Sequence, residues 1–307
     1  MMTAITPLKF SSVPLCKFKG KYHEIFIFDF PLDGNIDQEV VKSFGQEWKK
    51  FHRFSNKDIE KNGRQYFDIL NENIVNEESY VLDVGCGTGR WTKYLVDKVG
   101  FVEAVDPSDA IYSADFMLKD CKNIRLSKAS IESLPFQDDA FDFVMSIGVL
   151  HHIPDTASAM RKCVKKAKIG GHFYVYLYYD VSQRGILFKF LFKIANIVRQ
   201  IISRMSGKLK RFFCDLIAVV FYMPFVIAGR FLSFLGFKKI ASKKPLHFYQ
   251  NQSFYIIRND ALDRFGTKLE HRFSKQEVIE MMANSGLNEI IVSEKMPFWH
   301  AVGKRKY

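Results

Sequence analysis

The sequence predicts an α/β fold in which helices cover both faces of a mainly parallel sheet. Between residues 80 and 180, short apolar runs of strand length alternate with segments of helical periodicity. One of these runs ends in a glycine-rich turn that leads directly into a helix, and the same alternation resumes after residue 271. A repeated order of strand, helix and strand is typical of parallel strands joined by crossover helices.

Changes in pattern divide the chain into four segments. They are an N-terminal extension and helical cap at 1–75, a central α/β core at 76–180, a basic and aromatic helical insertion at 181–271, and a C-terminal completion of the core at 272–307. The extension is irregular up to about residue 35, with one or two strands predicted near Ile25–Phe30. Its helical part runs from Asp37 to about Asn73.

The core and the C-terminal segment carry the regular elements. The predicted core strands are Tyr80–Val84, Val102–Val105, Phe141–Ser146 and Phe173–Tyr179, with helices that begin at Arg90, Ala110 and Thr156. In the C-terminal segment the pattern predicts a helix at Ser274–Ser285, followed by a hairpin-like pair of strands at Glu289–Ser293 and Trp299–Gly303.

The positive charge of the chain is concentrated in the insertion. The 307 residues carry a net charge of +12, and residues 184–244 contain 13 lysines and arginines against one acid, Asp215. Because positive and negative charges balance in the rest of the chain, any function of the excess positive charge belongs to this sub-region.

Cysteine usage and the N-terminus favour a cytoplasmic protein. The five cysteines are scattered without a Cys-x-x-Cys pair, so we expect neither a disulfide framework nor a metal site. The first residues lack the charged and apolar regions of a secretory signal. The longest uncharged apolar run, Leu216–Gly229, has 14 residues, whereas a membrane-spanning helix needs about 20. We therefore expect any membrane contact to be peripheral.

The strongest motif is the string VLDVGCGTGR at residues 81–90, where an apolar strand enters a glycine turn followed by a helix. Glycines let the chain turn sharply and leave space for a ligand against the main chain, and the first N–H groups of the helix point towards that ligand. The spacing is G-x-G-x-G rather than the G-x-G-x-x-G that holds a pyrophosphate, which favours a nucleoside without phosphates. The alternative is a turn with a purely structural role.

An acidic residue, Asp106, ends the second predicted strand, 17 residues after Gly89. A carboxylate at that position can accept hydrogen bonds from both hydroxyls of a ribose. The alternative is a turn or N-cap aspartate before Pro107.

A third motif joins IESLPFQDDAFDFV at residues 131–144 to SIGVLHHIPD at residues 146–155. Together with the glycine string, it resembles the pattern of the type 11 family of class I S-adenosylmethionine-dependent methyltransferases, which includes ubiquinone and menaquinone methylases. The resemblance covers residues 80–180 closely and the C-terminal elements more loosely. It implies a Rossmann-like seven-stranded sheet with a reversed last strand, and S-adenosylmethionine as the cofactor.

The resemblance also implies which residues bind the cofactor. Asp83 would hold its amino-acid end and Asp106 its ribose, while Ser130 and Ile131 would border the adenine. The complete set is Asp83, Gly85, Cys86, Gly87, Thr88, Gly89, Asp106, Pro107, Ser130, Ile131 and Ser146. Where the family usually has an acid facing the adenine amino group, this chain has Ser130, with Glu132 as the nearby substitute.

Two adjacent histidines, His151 and His152, follow the strand Phe141–Ser146, at the edge where open α/β sheets bind their ligands. One of them could act as a general base, because an unperturbed imidazole titrates near neutral pH. The alternative is that one ring packs in the core and the other makes a hydrogen bond to the main chain.

Three interpretations of the basic insertion remain open. Lysines and arginines at intervals of four to six residues among large apolar side chains, as in residues 185–199, are typical of a helix that lies in a membrane surface or of a lid over an apolar substrate. The helices could instead pack on one another with their charges solvated. Nucleic-acid binding is favoured by the charge alone, without a recognition module, and we do not expect it.

The N-terminal cap holds a further candidate in Phe44–Trp48, a stretch that is similar to one seen before the glycine motif in bacterial methyltransferases. Trp48, Phe51 and Phe54 could close over the cofactor and exclude water, or form a small core of the cap's own.

The function expected from the sequence is methyl transfer from S-adenosylmethionine to a small, apolar or lipid-linked acceptor. The lack of an Asn-Pro-Pro-Tyr or Asp-Pro-Pro-Tyr string argues against amino methylation of bases or of glutamine amides, and leaves oxygen, carbon or another nitrogen as the acceptor atom. The rivals are an RNA methyltransferase that uses the basic insertion and a non-catalytic protein that only binds the cofactor.

Overall fold

The computed structural model describes residues 5–31, 34–48, 54–181, 185–242, 246–295 and 299–307. The chain forms two compact units, one made of Met1–Asp180 with Leu269–Tyr307 and the other of Val181–Lys268. The first unit contains the sheet and the second is helical. The boundary between them falls close to the limits predicted for the insertion.

The described strands form one nine-stranded sheet in the first unit. They are β1 (Cys16–Lys19), β2 (Glu24–Ile27), β3 (Tyr80–Val84), β4 (Phe101–Val105), β5 (Ile124–Lys128), β6 (Phe141–Ile147), β7 (Ala167–Tyr176), β8 (Leu287–Val292) and β9 (His300–Arg305). Their order across the sheet is β1-β2-β5-β4-β3-β6-β7-β9-β8. Strands β2 to β7 run parallel to one another, whereas β1 and β9 are antiparallel to their neighbours.

The helices of the first unit flank the sheet, and those of the second unit pack together. In chain order they are α1 (Gln38–Trp48), α2 (Asn56–Tyr66), α3 (Arg90–Leu95), α4 (Ile111–Met117), α5 (Thr156–Lys166), α6 (Ile186–Ile202), α7 (Gly207–Ile217), α8 (Met223–Phe234), α9 (Lys238–Ala241), α10 (Phe254–Gly266) and α11 (Lys275–Asn284).

The sheet has nine strands where the sequence predicts seven. The two additional strands, β1 and β2, form a hairpin, and β2 pairs in parallel with β5 so that Ile25 lies opposite Leu126. Without this hairpin β5 would be an edge strand with unpaired main-chain groups. The α/β class and the reversed last strand are confirmed, since β9 runs antiparallel to β7. Strand β5 itself is not among the predicted core strands, because its five residues alternate apolar and polar side chains too briefly to stand out.

Two apolar cores, one on each face of the sheet, hold the helices in place. Strands β3 and β4 are buried along their whole length, as expected of parallel strands covered on both faces. The side chains of α5 and α11 pack in one core, and those of α3 and α4 pack in the other.

A long helix dominates the second unit. Helices α7 and α8 are joined by a π-helical turn at Ala218–Tyr222, which makes one continuous helix of 28 residues, Gly207–Phe234. By length and composition alone this helix is sufficient to cross a membrane, and a third of its apolar part is buried within the protein. The uncharged run Leu216–Gly229, on which the expectation of no spanning helix rests, keeps its 14 residues but lies within this longer helix.

Candidate active site

The glycine loop between β3 and α3 is shaped by the end of β4. Gly85, Gly87 and Gly89 all have positive φ, at 78°, 56° and 78°, a conformation in which a side chain is strained. The N–H groups of Gly85 and Cys86 donate to the Val105 carbonyl at 2.7 and 2.9 Å. The hydrogen bonds to the neighbouring strand hold the loop in this backbone conformation, and the conformation favours glycine at these positions.

Asp106 is the residue that ties the loop to the next turn. Its Oδ2 accepts from the Gly87 N–H at 2.9 Å, and its Oδ1 accepts from the N–H and the hydroxyl of Ser108 at 2.8 and 2.6 Å. Burial raises the pKa of this carboxyl, against the opposing effect of these hydrogen bonds and of Lys128. A carboxylate accepts about four hydrogen bonds. Three are in use, so contact with both hydroxyls of a ribose requires a shared lone pair or the release of one Ser108 bond.

A second buried carboxylate, Asp83, lies at the end of β3. Its side chain accepts a hydrogen bond of 2.6 Å from the Thr92 hydroxyl on the first turn of α3. Burial raises the pKa of Asp83 to about 7, the nearby Asp106 adds to the rise, and the Thr92 bond opposes it. Thr92 and Ser108 are absent from the predicted site. The available signal was their position: Thr92 lies three residues after Gly89 in the first turn of the following helix, and Ser108 lies two residues after Asp106 in the following turn.

Replacing Asp83 with asparagine is expected to make the free energy of unfolding less dependent on pH. The folded-state pKa of about 7 lies above the ordinary 3.8, so folding favours the protonated carboxyl. Below about pH 4 the carboxyl is protonated in both states; as the pH rises towards 7 only the unfolded chain ionises, and stability falls by about 4 kcal/mol. Urea unfolding at about pH 5 and pH 8 measures this slope. Equal slopes for the two proteins would contradict it.

The remaining predicted cofactor residues lie along the same edge of the sheet or just beneath it. Cys86 and Thr88 are buried within the loop, and among the described residues the Thr88 hydroxyl has no hydrogen-bond partner. Ser146 is fully buried and donates to the Val84 carbonyl at 3.0 Å, so its hydroxyl joins β6 to β3. Pro107, the partly buried residue after Asp106, completes the turn beside the loop.

The predicted adenine border follows β5, the strand next to β4. Ser130 is buried, and Ile131 begins a short 3₁₀ helix with its partly buried side chain packed against one of the two apolar cores. Glu132, the acid considered as a substitute acceptor for the adenine amino group, makes an ion pair with Lys162 on α5. That pairing leaves Glu132 less suited to the role, and the assignment of the adenine residues stays a prediction.

The two histidines make the contacts that the alternative to a catalytic role predicts, since one ring packs in the core and the other makes a hydrogen bond to the main chain; a catalytic role for either stays a prediction. His151 is fully buried and stacks on Tyr178, with ring centroids 3.9 Å apart. Burial lowers the pKa of His151 well below its ordinary value, and the neighbouring His152, Arg272 and His271 lower it further. At neutral pH the ring is therefore uncharged.

The tautomer of His152 follows from its hydrogen bond. Its Nδ1 lies 2.7 Å from the Leu269 carbonyl oxygen, which can only accept. Nδ1 therefore carries the proton, and in the neutral ring Nε2 is the basic nitrogen. Of the two candidate bases, His152 is thus the one whose unprotonated nitrogen is defined by the structure.

Helix α1 lies directly over this edge of the sheet. A Cβ placed on Gly45 would lie 3.0 Å from the Asp109 nitrogen and 3.5 Å from the Ser108 Cβ, so the helix passes in close contact with the turn after β4. The next residue back, Phe44, places its ring 5.1 Å from that of His152. Helix α1 therefore contacts the segments that follow β4 and β6. Of the other aromatic cap residues, Phe54 is buried, whereas the side chain of Trp48 and the whole of Phe51 lie outside the described residues.

Comparison with the sequences of known proteins gives matches to the central part of the chain. The family model described as a methyltransferase domain matches residues 82–175. An uncharacterized methyltransferase of Staphylococcus carnosus is 30% identical over 115 residues, which cover 38% of this chain and 54% of that protein. A demethylmenaquinone methyltransferase of Anoxybacillus flavithermus is 32% identical over 116 residues, covering 34% of this chain and 46% of that protein. The chain thus spans about half the length of these relatives.

A solved structure of the YcgJ protein from Bacillus subtilis matches with a TM-score of 0.44 and 16% identity, covering 73% of this chain and 67% of that one. A putative methyltransferase from Haloferax volcanii, solved with the activator Trm112, matches with a TM-score of 0.48 and 14% identity, covering 89% of this chain and all of that one.

Proposed function

We propose that this chain, whose residues 82–175 match the methyltransferase domain, is a class I S-adenosylmethionine-dependent methyltransferase that transfers the methyl group of that cofactor to a small, apolar or lipid-linked acceptor. The family match confirms the resemblance that the sequence motifs indicate. The observation that carries the proposal is the meeting of the glycine loop, Asp83 and Asp106 at the carboxyl ends of β3 and β4.

The residues at this edge suit S-adenosylmethionine chemically. The cofactor has an ammonium group and two ribose hydroxyls, and the chain provides the buried carboxylates of Asp83 and Asp106. The Thr88 hydroxyl, buried and without a hydrogen-bond partner among the described residues, is a further polar group for a ligand to satisfy. When bound, the cofactor would supply an electrophilic methyl group that is already activated by its sulfonium.

An ammonium beside Asp83 would also favour the ionised carboxylate, whose pKa lies at about 7 in the free protein. We therefore expect cofactor binding to release a proton at neutral pH. Residues that touch the acceptor then have to align it and, where the acceptor carries a proton, remove that proton. Helix α1, whose Phe44 contacts His152, would keep water from that step.

For proton removal we propose His152, whose Nε2 is the basic nitrogen. His152→Asn keeps an N–H that can donate to the Leu269 carbonyl but removes Nε2. We expect kcat to fall by about 100-fold or more, the usual contribution of a general base, with unchanged affinity for S-adenosylhomocysteine. His151→Phe, which keeps the stacking on Tyr178, is the matched control and is expected to retain most of the activity. Equal losses in the two variants would assign both rings a packing role.

The experiment that tests the proposed function has two parts. Calorimetric titration with S-adenosylhomocysteine measures cofactor binding, and transfer of a labelled methyl group from S-adenosylmethionine measures turnover. Several relatives are named demethylmenaquinone methyltransferase, so demethylmenaquinone is the first acceptor to test, followed by other apolar and lipid-linked compounds and then by RNA. Cofactor binding without turnover of any acceptor would favour a non-catalytic cofactor-binding protein, and turnover of RNA alone would replace the acceptor class proposed.

A further inference from the structure

Helix α6 in the second unit presents an unbroken apolar stripe to solvent. Five side chains spaced by three or four residues lie on one side of the helix, which is the spacing of neighbours along a helix surface. Their exposed fractions run from 44% to 88%, for Ile186, Phe190, Ile194, Ile197 and Ile201. Side chains of this size are exposed singly on most soluble surfaces, and a continuous stripe of them indicates a surface that is covered in use.

A basic and polar edge runs beside the stripe. Lys189 and Lys193 are exposed, each one position before an apolar residue of the stripe, and Gln200 extends the same edge. The unit Val181–Lys268 as a whole contains 16 lysines and arginines against three aspartates, so it carries a net charge of +13 while the remainder of the chain is close to neutral. An apolar stripe flanked by lysines on a strongly cationic unit is complementary to an anionic lipid surface.

The long helix Gly207–Phe234 exposes further apolar surface. One of its sides is buried, through Cys214, Ile217, Ala218, Tyr222, Val226 and Gly229. The other side is exposed and carries large apolar side chains along its length, including Phe212, Leu216, Val219, Ile227, Phe231 and Phe234. Packing within the unit therefore accounts for only one side of this helix.

Polar anchors at both ends of the uncharged run oppose a membrane-spanning placement of this helix. At one end Asp215 makes an ion pair of 2.6 Å with Arg258 of α10. At the other end Arg230 donates to the carbonyls of Gln250 and Gln252 at 2.7 and 2.9 Å. The 14 uncharged residues between these anchors span about 21 Å as a helix, less than the roughly 30 Å of a hydrocarbon core.

We propose that the helical unit Val181–Lys268 binds the surface of an anionic lipid bilayer, with the apolar stripe of α6 inserted at the boundary between headgroups and acyl chains. Lys189 and Lys193 would contact lipid phosphates beside the inserted stripe. This binding does not require methyl transfer, so vesicles without an acceptor measure it independently of the proposed function.

The test uses the full chain and vesicles of phosphatidylglycerol with phosphatidylcholine, sedimented at about 0.1 M salt. We expect the protein to sediment with these vesicles and to bind pure phosphatidylcholine vesicles weakly. The double variant Ile194→Glu with Ile197→Glu is expected to bind about tenfold more weakly or worse, because two carboxylates would have to enter the interface. The matched control, Ile169→Glu with Ile291→Glu, changes two exposed isoleucines on β7 and β8 and is expected to bind like the unmodified protein.

Depth of insertion provides a second readout. The three tryptophans, Trp48, Trp91 and Trp299, lie outside residues 181–268, so Phe190→Trp adds a reporter on the stripe. We expect vesicles with brominated acyl chains to quench the fluorescence of the added tryptophan. We also expect the emission of this tryptophan to shift to shorter wavelength when the protein binds vesicles.

Several results would overturn the proposal. They are absence of binding to anionic vesicles, equal binding by the α6 double variant, and a reporter that brominated chains do not quench. Resistance of the bound protein to alkaline carbonate would indicate a spanning helix instead. Preferential, salt-sensitive binding to RNA over vesicles would show that the positive charge of this unit serves to bind nucleic acid.

Discussion

Replacing Asp106 with alanine is expected to weaken the binding of S-adenosylhomocysteine by about 100-fold or more. The substitution removes the acceptor of the Gly87 N–H and of both Ser108 donors, so the glycine loop and the turn after β4 lose the group that joins them. It also removes the carboxylate proposed to accept from the ribose. Hydrogen bonds to charged groups contribute about 1.5–3 kcal/mol each, so the loss of even one accounts for about a tenfold to 100-fold change.

Calorimetric titration of the two proteins measures this change. The matched control is Asp138→Ala, which removes an exposed aspartate that pairs with Lys166. Asp138 lies just before β6, at the amino ends of the parallel strands and away from the glycine loop. We expect the control to bind like the unmodified protein. Asp106→Asn keeps one acceptor oxygen, but its amide cannot accept hydrogen bonds from donors on both sides of the group. This variant therefore separates the role of Asp106 in the loop from its proposed role in binding the ribose. If Asp106→Ala folds and binds S-adenosylhomocysteine normally, Asp106 is only a turn residue and the proposed ribose contact is wrong.

Gly85→Ala is expected to lower the free energy of unfolding by about 2–5 kcal/mol. Two physical costs contribute. A positive φ of 78° costs a residue with a Cβ about 1–2 kcal/mol. The new methyl would also lie 2.4 Å from the Val149 Cγ2, and relieving such an overlap in a packed site costs about 1–3 kcal/mol. Val149 is β-branched and can rotate little to avoid the contact.

Gly170 provides the control for the first cost. Its φ is +80°, but a Cβ there would have no atom within 4 Å, so Gly170→Ala isolates the strain of the backbone. We expect urea unfolding to give a smaller loss for Gly170→Ala than for Gly85→Ala. The double variant Gly85→Ala with Val149→Ala removes the overlap and is expected to unfold at a higher urea concentration than Gly85→Ala alone. Equal losses of unfolding free energy in the two single glycine variants would show that Val149 moves away from the new methyl group at no energetic cost.

Local patterns along the sequence predicted much of the first unit. The predicted strand Tyr80–Val84 coincides with β3, and the helices predicted to begin at Arg90 and Thr156 begin there. These elements are identifiable because hydrophobic periodicity and turn residues are properties of short segments. For the same reason the glycine loop and Asp106 could be identified before any coordinates: each occupies a fixed position at the end of a strand.

Pairings between distant segments were not predictable in this way. The hairpin of β1 and β2 joins β5, a strand about 100 residues further along the chain, and neither partner is regular enough to identify the other. The partners of the site residues are similar: His152 meets the Leu269 carbonyl across 117 positions in the sequence. Nothing in the two adjacent histidines indicates which ring stacks and which donates to the main chain.

The sequence by itself determined the α/β class, the glycine loop and the concentration of charge in residues 184–244, because each depends on composition or on spacing within a few turns of chain. Tertiary structure alone decided the nine-stranded sheet, the tautomer of His152 and the side of α6 that remains uncovered. These features depend on which distant surfaces meet, and the entropy lost in bringing them together is offset by packing that involves the whole unit rather than any one segment.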